Sequence, residues 1–187
     1  MNKLCLSALL AAMLWISLPL TAGAADTFNG ESVEELDWEV LMPADYNIEA
    51  IFAASADQYS SLDDFDPLAD IKFKAMMESL ASAPVVQEMD GKMIRIPGFV
   101  VPLSEEGARV TEFFLVPYFG ACIHVPPPPS NQMIHVVFEP GTNIENLYDA
   151  VWVTGKLKVA TVAHDLGTAG YVMDAFQIEP YEYEEES

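Results

Sequence analysis

Up to residue 83 the apolar positions of this chain recur at three- and four-residue intervals. From Pro84 onward they alternate or gather into short β-branched and aromatic runs. Ser32-Val33-Glu34-Glu35 has the form of a capping box and predicts a first helix carrying Val33, Leu36, Val40 and Leu41, stopped by Pro43. Ile48 to Ala56 predicts a second, short helix. Asp66 and Pro67 open a third, with an acidic cap and a proline in the first turn. Its apolar stripe is Leu68, Ile71, Ala75, Met76 and Leu80, ending before Pro84. The Met76-Met77 pair reads as packing, because methionine fills irregular gaps on core-facing helices.

Past Pro84 the period is that of strands. Val85–Met89 and Lys92–Val101 flank Asp90-Gly91, a hairpin signal because glycine tolerates positive φ at the turn. Pro97-Gly98 interrupts the second run and predicts a bulge or bend. Further strands are expected at Glu112–Tyr118, Met133–Phe138, Ala150–Val162 and Gly170–Ile178. Gly155 lies within the longest of them, where a strongly coiled strand would bend. The acidic stretch Gly141–Asp149 reads as a surface connection. The expected fold is mainly β with a helical N-terminal lead-in (α+β): a small OB-like β-barrel, with a β-sandwich as the alternative. The expected division is a helical or irregular segment over 25–83, a β-barrel-like domain over 84–181 and an acidic tail over 182–187.

Residues 1–24 change the picture of where this fold works. Asn2-Lys3 is a short basic start and Leu4–Leu20 is apolar apart from Ser7, Ser17 and the helix-breaking Pro19. Ala22-Gly23-Ala24 then offers a small-x-small cleavage site before Ala25. The other reading, an uncleaved anchor, is disfavoured because the run is short for a span of about 20 residues. The expectation is a secretory signal peptide and an exported, periplasmic chain with no stable membrane insertion after cleavage. Whole, the chain holds 29 acidic and 8 basic residues, a formal charge of −21. Cleavage removes one of the basic residues, Lys3. Such a field repels nucleic acid and anionic lipid and attracts metal cations or basic protein surfaces. It also keeps a protein soluble, which needs no partner.

Cleavage also removes Cys5 and leaves Cys122 as the only thiol. An odd cysteine in an exported protein suggests a ligand, an intermolecular partner or a sequestered core residue. In extended backbone Cys122 and His124 point to one face, with α-carbons about 6.5–7 Å apart. Both are good ligands for zinc or copper. Two ligands are too few for a closed structural zinc site, so others would come from His135, His164 or carboxylates. Pro126–Pro129 lack backbone N–H groups and favour a stiff polyproline II rod, which places the pair near solvent at a strand end. Ser130, Asn131 and Gln132 follow, with side chains suited to capping backbone groups, orienting an imidazole or contacting a ligand. Equally open is a structural reading, with Cys122 buried as a small hydrophobe and the prolines as a brace. A catalytic Cys–His pair would need an oxyanion site, which nothing in the sequence supplies. Disulfide exchange with another protein would lack a resolving cysteine. His135 lies in a strand-like apolar run and reads as accommodated in the fold; His164-Asp165 falls in a loop between the last two strands.

Two stretches, Met93-Ile94-Arg95-Ile96-Pro97-Gly98-Phe99-Val100-Val101-Pro102-Leu103 and Phe114 through Gln132 with its Gly120-Ala121-Cys122-Ile123-His124 core, carry a resemblance. With Val151-Trp152-Val153-Thr154-Gly155-Lys156-Leu157, Ala169-Gly170-Tyr171 and the lead-in Leu36–Pro43, the chain resembles the bacterial exported family catalogued as domain of unknown function 3299, over most of residues 33–181. The resemblance implies a context of envelope transport clusters with ABC-transporter-type components, some responsive to zinc supply. It assigns no residue a role. Cys122 and His124 match the family motif; His135 and His164 rest on this sequence alone.

The resulting expectation is an exported accessory or binding protein in transition-metal handling, zinc first. Cys122 and His124 would be ligands, Ser130, Asn131 and Gln132 supporting groups, and envelope ABC-type components the partners. The alternatives are a metal-independent interaction module of such a complex, docking through Tyr118, Phe119 and the proline rod, or a thiol enzyme.

Overall fold

The computed structural model describes residues 27–28, 30–51, 53, 67–106, 109–121, 127–143 and 150–182. The expected leader, the second half of the second helix, and Cys122 and His124 lie outside the described residues. The fold is mainly β with few helices.

Three very short strands come first: β1 (Thr27–Phe28), β2 (Glu31–Ser32) and β3 (Glu34–Glu35). One long helix, α1 (Pro67–Ala81), follows, and then five long strands: β4 (Met93–Glu106), β5 (Arg109–Val116), β6 (Ile134–Thr142), β7 (Ala150–His164) and β8 (Gly167–Pro180). β1 and β2 pair only with each other; the other strands form one sheet in the order β3-β4-β5-β6-β8-β7. β6 and β8 run parallel, as do β3 and β4, and the other neighbours are antiparallel. β4 pairs in addition with β7, at the other end of that order. The handover falls at Phe99, which faces Ala150 of β7 and Val116 of β5. Gly98, one residue earlier, makes the close approach possible: a Cβ there would lie 2.8 Å from the Val116 carbonyl oxygen. The bend expected at Pro97-Gly98 is thus a change of partner. Gly155 marks a second such place, at a register shift between β7 and β8 where a Cβ would meet the Asp174 carbonyl oxygen at 2.6 Å.

Alternation along the strands sorts the core into two clusters. On one face Phe113, Leu115, Ile134, Val136, Tyr171 and Met173 meet Ile94, Ile96, Val153 and Leu157. On the other, Val101, Phe114 and Val116 pack with Ala121, Met133 and Ala169.

Three expectations of the lead-in fail, each for a non-local reason. The capping-box helix is not there. Glu34 and Glu35 are a strand paired with Ile94 and Arg95, and only Trp38–Leu41 winds, as a 3₁₀ turn. Pairing with β4 and the ion pairs Lys92–Glu34 and Arg95–Glu35, both 3.1 Å, outweigh the local preference. The Asp90-Gly91 hairpin is also absent, because Gln87–Met89 is a 3₁₀ turn rather than a strand. Gly91 does take positive φ (78°), but its N–H bonds to Leu157 of β7. Finally α1 begins and ends near where its sequence predicts, yet of the expected stripe only Leu80 is buried. Leu68, Ile71 and Ala75 face outward and Met76 is half-buried.

Candidate functional site

The segment after the prolines is a buried 3₁₀ turn, Ser130–Gln132, rather than a solvent-facing loop. Pro129 holds the polyproline II geometry expected of it (φ −61°, ψ 153°), but Pro128 and Pro129 are buried. The reason is the polar triplet. Ser130 Oγ donates to the Ala83 carbonyl (3.1 Å), Asn131 Nδ2 to that of Pro84 (2.9 Å) and Gln132 Nε2 to that of Trp38 (2.8 Å). These side chains cap backbone groups of the lead-in that would otherwise be buried without partners. Tyr171 completes the clamp: its phenol donates to the Leu41 carbonyl at 2.8 Å and accepts the Val86 N–H at 2.7 Å. Burial raises its pKa above the usual 10.0, and the Val86 bond works in the opposite direction.

The chemistry-bearing side chains gather on the Phe114 face. His135 of β6 sits opposite Phe114 of β5 in the ladder, so both point to the same side, and their rings meet edge to face at 5.9 Å. His164, at the end of β7, meets the same Phe114 ring at 5.9 Å. Glu112, two residues before Phe114, shares its face, and its Oε1 lies 2.7 Å from His135 Nε2. The His135 side chain is only 10% exposed, and its Nδ1 is buried with no hydrogen-bond partner among the described residues. His164 differs: it is exposed, and its Nδ1 accepts the Leu166 N–H at 3.2 Å, so the turn Asp165-Leu166 uses its lone pair.

Of the described residues that flank positions 122–126, Ala121 lies at this face and Pro127 beside the β7–β8 turn. Ala121 belongs to the cluster of Phe114 and Met133. Pro127, on the far side, crowds Gly167: a Cβ placed there would lie 3.1 Å from Pro127 Cβ and 2.9 Å from Met133 Cε. Beside it is a cavity of about 410 Å³ between α1 and the β7–β8 turn, lined by Met77, Leu80, Pro127, Pro128, His164 and Asp165 among others. Among the described residues no three His, Cys, Asp or Glu side chains cluster closely enough to hold a metal ion.

Residues 38–180 match the family model "Protein of unknown function (DUF3299)". The chain belongs to the DUF3299 family. A solved structure of a DUF3299 family protein from Pseudomonas aeruginosa PAO1 is similar, at 39% sequence identity. The match covers 82% of this chain and 99% of that one, with a TM-score of 0.64. No functionally curated protein matches. The DUF3299 match begins at Trp38, the residue whose carbonyl Gln132 holds, and ends at Pro180, the last residue of β8.

Sequence reasoning underrated two residues. Glu112 gave no signal, since one acidic residue among 29 in a strand is unremarkable. Tyr171 was visible only as a strand aromatic, because its hydrogen-bond partners lie 85 and 130 residues away.

Proposed function

We propose that this DUF3299 protein is an exported, periplasmic accessory or binding protein for a transition-metal ion, zinc first, working with an envelope ABC-type transport system. The observation that carries the reading is that His135 and His164 share the Phe114 face with Ala121, next in sequence to Cys122, and with Met133. Cys122 and His124, which follow Ala121 in the sequence, carry a thiol and an imidazole, both suited to zinc. His135 Nδ1 supports the reading too: it is buried, has no hydrogen-bond partner among the described residues and is an atom suited to ligating such an ion. The strongly acidic chain favours cation capture over anion or nucleic-acid binding. The scaffold is an OB-like barrel on this reading, supported by the two pairings of β4, which link the ends of the strand order. The N-terminal signal pattern supports the location.

Titration calorimetry with zinc on the purified protein tests the reading. Near-stoichiometric binding with proton release is expected, because the thiol must ionise to ligate. Equal binding by the Cys122→Ser/His124→Ala double variant would remove those residues from the site.

A second reading, a metal-independent interaction module, is favoured by the exposed apolar side chains of α1, Leu68, Ile71 and Phe73, and by the half-exposed Tyr118 and Phe119. Co-purification with a membrane partner that survives both a chelator and Cys122→Ser would favour it.

A further inference from the structure

The face of β4, β7 and β8 that points away from the core carries an ordered polar row. Arg95 stands opposite Thr154, and Thr154 opposite Gln177, so three strands present a guanidinium, a hydroxyl and a carboxamide side by side. In the next row Pro97, Trp152 and Glu179 face one another in the same way. The residues between them, Ile94, Ile96 and Val153, enter the core instead. Over the polar row lies a cavity of about 370 Å³, walled on its other side by Thr27, Phe28 and Val33 of the lead-in. That volume is within the range of small-molecule sites.

Arg95 is fixed before any ligand arrives. Its Nη1 is 3.1 Å from Glu35 Oε2 and its Nη2 3.7 Å from Glu179 Oε2. The guanidinium carbon lies 4.1 Å from the centre of the Trp152 ring. A planar fork held on three sides loses little freedom on binding, and its five N–H donors exceed what these two carboxylate contacts use.

The charges and the donor pattern select the ligand. Glu35 and Glu179 neutralise the arginine, so the cavity offers no spare positive charge to an anion, while the guanidinium itself repels a cation. The chain's formal charge of −21 disfavours anions further. A neutral ligand fits best. Arg95 only donates, Glu179 only accepts, and the hydroxyls of Thr27 and Thr154 and the amide of Gln177 do both. The neutral group that answers all of them is another hydroxyl, which donates and accepts from one atom. Phe28 and Val33 add apolar surface for C–H groups. A ring with hydroxyls on its rim and C–H groups on its faces is a sugar. Phe28 also lines a second cavity of about 430 Å³, with Phe138, Glu139, Asp174 and Phe176, and it stacks on Phe176 at 5.0 Å. Two cavities that share an aromatic wall suit a chain of sugars better than a single ring.

We propose that the groove between the β1–β2 hairpin and the outer face of β4, β7 and β8 binds an uncharged oligosaccharide. Arg95, Gln177 and Glu179 hold hydroxyls of one ring, and Phe28 is the apolar wall between successive rings. The site is separate from the Phe114 face and does not depend on the metal-handling reading.

Calorimetric titration of the purified protein tests this with three neutral probes, maltohexaose, cellohexaose and chitohexaose, and one anionic probe, hexagalacturonate. At least one neutral probe is expected to bind saturably, with a Kd of about 1 mM or tighter, more tightly than its own disaccharide and equally well with a chelator present. Hexagalacturonate is expected to bind at least about tenfold more weakly. Gln177→Ala removes an exposed side chain and leaves the core alone; it is expected to weaken binding about 2- to 10-fold. Arg95→Lys keeps the charge but not the fork, and is expected to cost about tenfold or more. No saturable binding of any neutral probe overturns the proposal, as does tighter binding of hexagalacturonate. Binding that is abolished by the chelator, or that is unchanged in both variants, places the sugar elsewhere and overturns it as well.

Discussion

On one side of β5, Phe113 and Leu115 enter a mostly apolar cluster whose Tyr171 phenol is satisfied twice and whose flanking Trp38 indole N–H donates to the Pro97 carbonyl. On the other side, Phe114 and Val116 enter a smaller cluster with Ala121 and Met133, edged by two histidines and a carboxylate. Successive residues of a single strand thus serve two environments. Beside the first, Asn131 Oδ1 has no hydrogen-bond partner among the described residues, and on the second His135 Nδ1 has none. The difference is one of composition: the first face spends its polar side chains on backbone carbonyls of the lead-in, while the second gathers two imidazoles and a carboxylate. A metal ion is therefore expected to bind on the second face, where side chains able to ligate are concentrated.

Neighbouring substitutions on β5 give the sharpest contrast. Phe113→Ala empties a fully buried position and is expected to lower stability by about 3–5 kcal/mol in denaturant unfolding, with zinc affinity of the folded fraction unchanged. A large loss of affinity at constant fold would mean that the two faces are not independent. Tyr171→Phe leaves the Leu41 carbonyl and the Val86 N–H without partners and is expected to cost about 2–4 kcal/mol.

The same substitution has a pH readout. The phenol's pKa is raised in the fold, so its contribution is complete below about pH 10 and is lost as pH climbs through the folded-state value. The wild-type protein is therefore expected to lose stability on the alkaline side more steeply than Tyr171→Phe. Parallel alkaline limbs would remove Tyr171 from the account. On the second face, Phe114→Leu keeps an apolar side chain, though a smaller one, and removes both edge-to-face contacts. It is expected to cost about 1–1.5 kcal/mol in stability and to weaken zinc binding as His135 and His164 lose their common wall. Smallest of all, Lys158→Ala breaks an exposed ion pair with Asp174 at 2.5 Å. The expected change is under about 1 kcal/mol, and it is smaller still in high salt.

How much of this was legible in the residues divides along the same line as the faces. The long strands announced themselves through β-branched and aromatic alternation, and Gly155 and Gly98 through their interruption of it. Those are local signals. The start of α1 at Pro67 was local too. What failed was whatever depends on a partner distant in sequence. Ser32–Glu35 carries a good helix start, yet Glu34 and Glu35 lie against Ile94 and Arg95, and no local rule could supply that neighbour. Ser130, Asn131 and Gln132 read as side chains able to cap backbone groups, orient an imidazole or contact a ligand; the capping is what they do, but the carbonyls of Ala83, Pro84 and Trp38 that they cap could not be named from the sequence. For the candidate site, the sequence drew attention to Cys122 and His124 by their rarity and spacing. It ranked His135 low because a histidine in an apolar run looks merely tolerated. Only the Glu112 contact and the unpaired Nδ1 distinguish it from that case.

The Tyr171 bond to Leu41 spans 130 residues of chain. During synthesis, Leu41 must therefore wait for nearly the whole polypeptide before its carbonyl has a mate, and Trp38 must wait for Gln132. β4 can take up Glu34 and Glu35 early, but the Leu41 end of the lead-in is closed by the final strand. A truncation that removes β8 is therefore expected to release Leu41 and Val86 as well as the end of the chain.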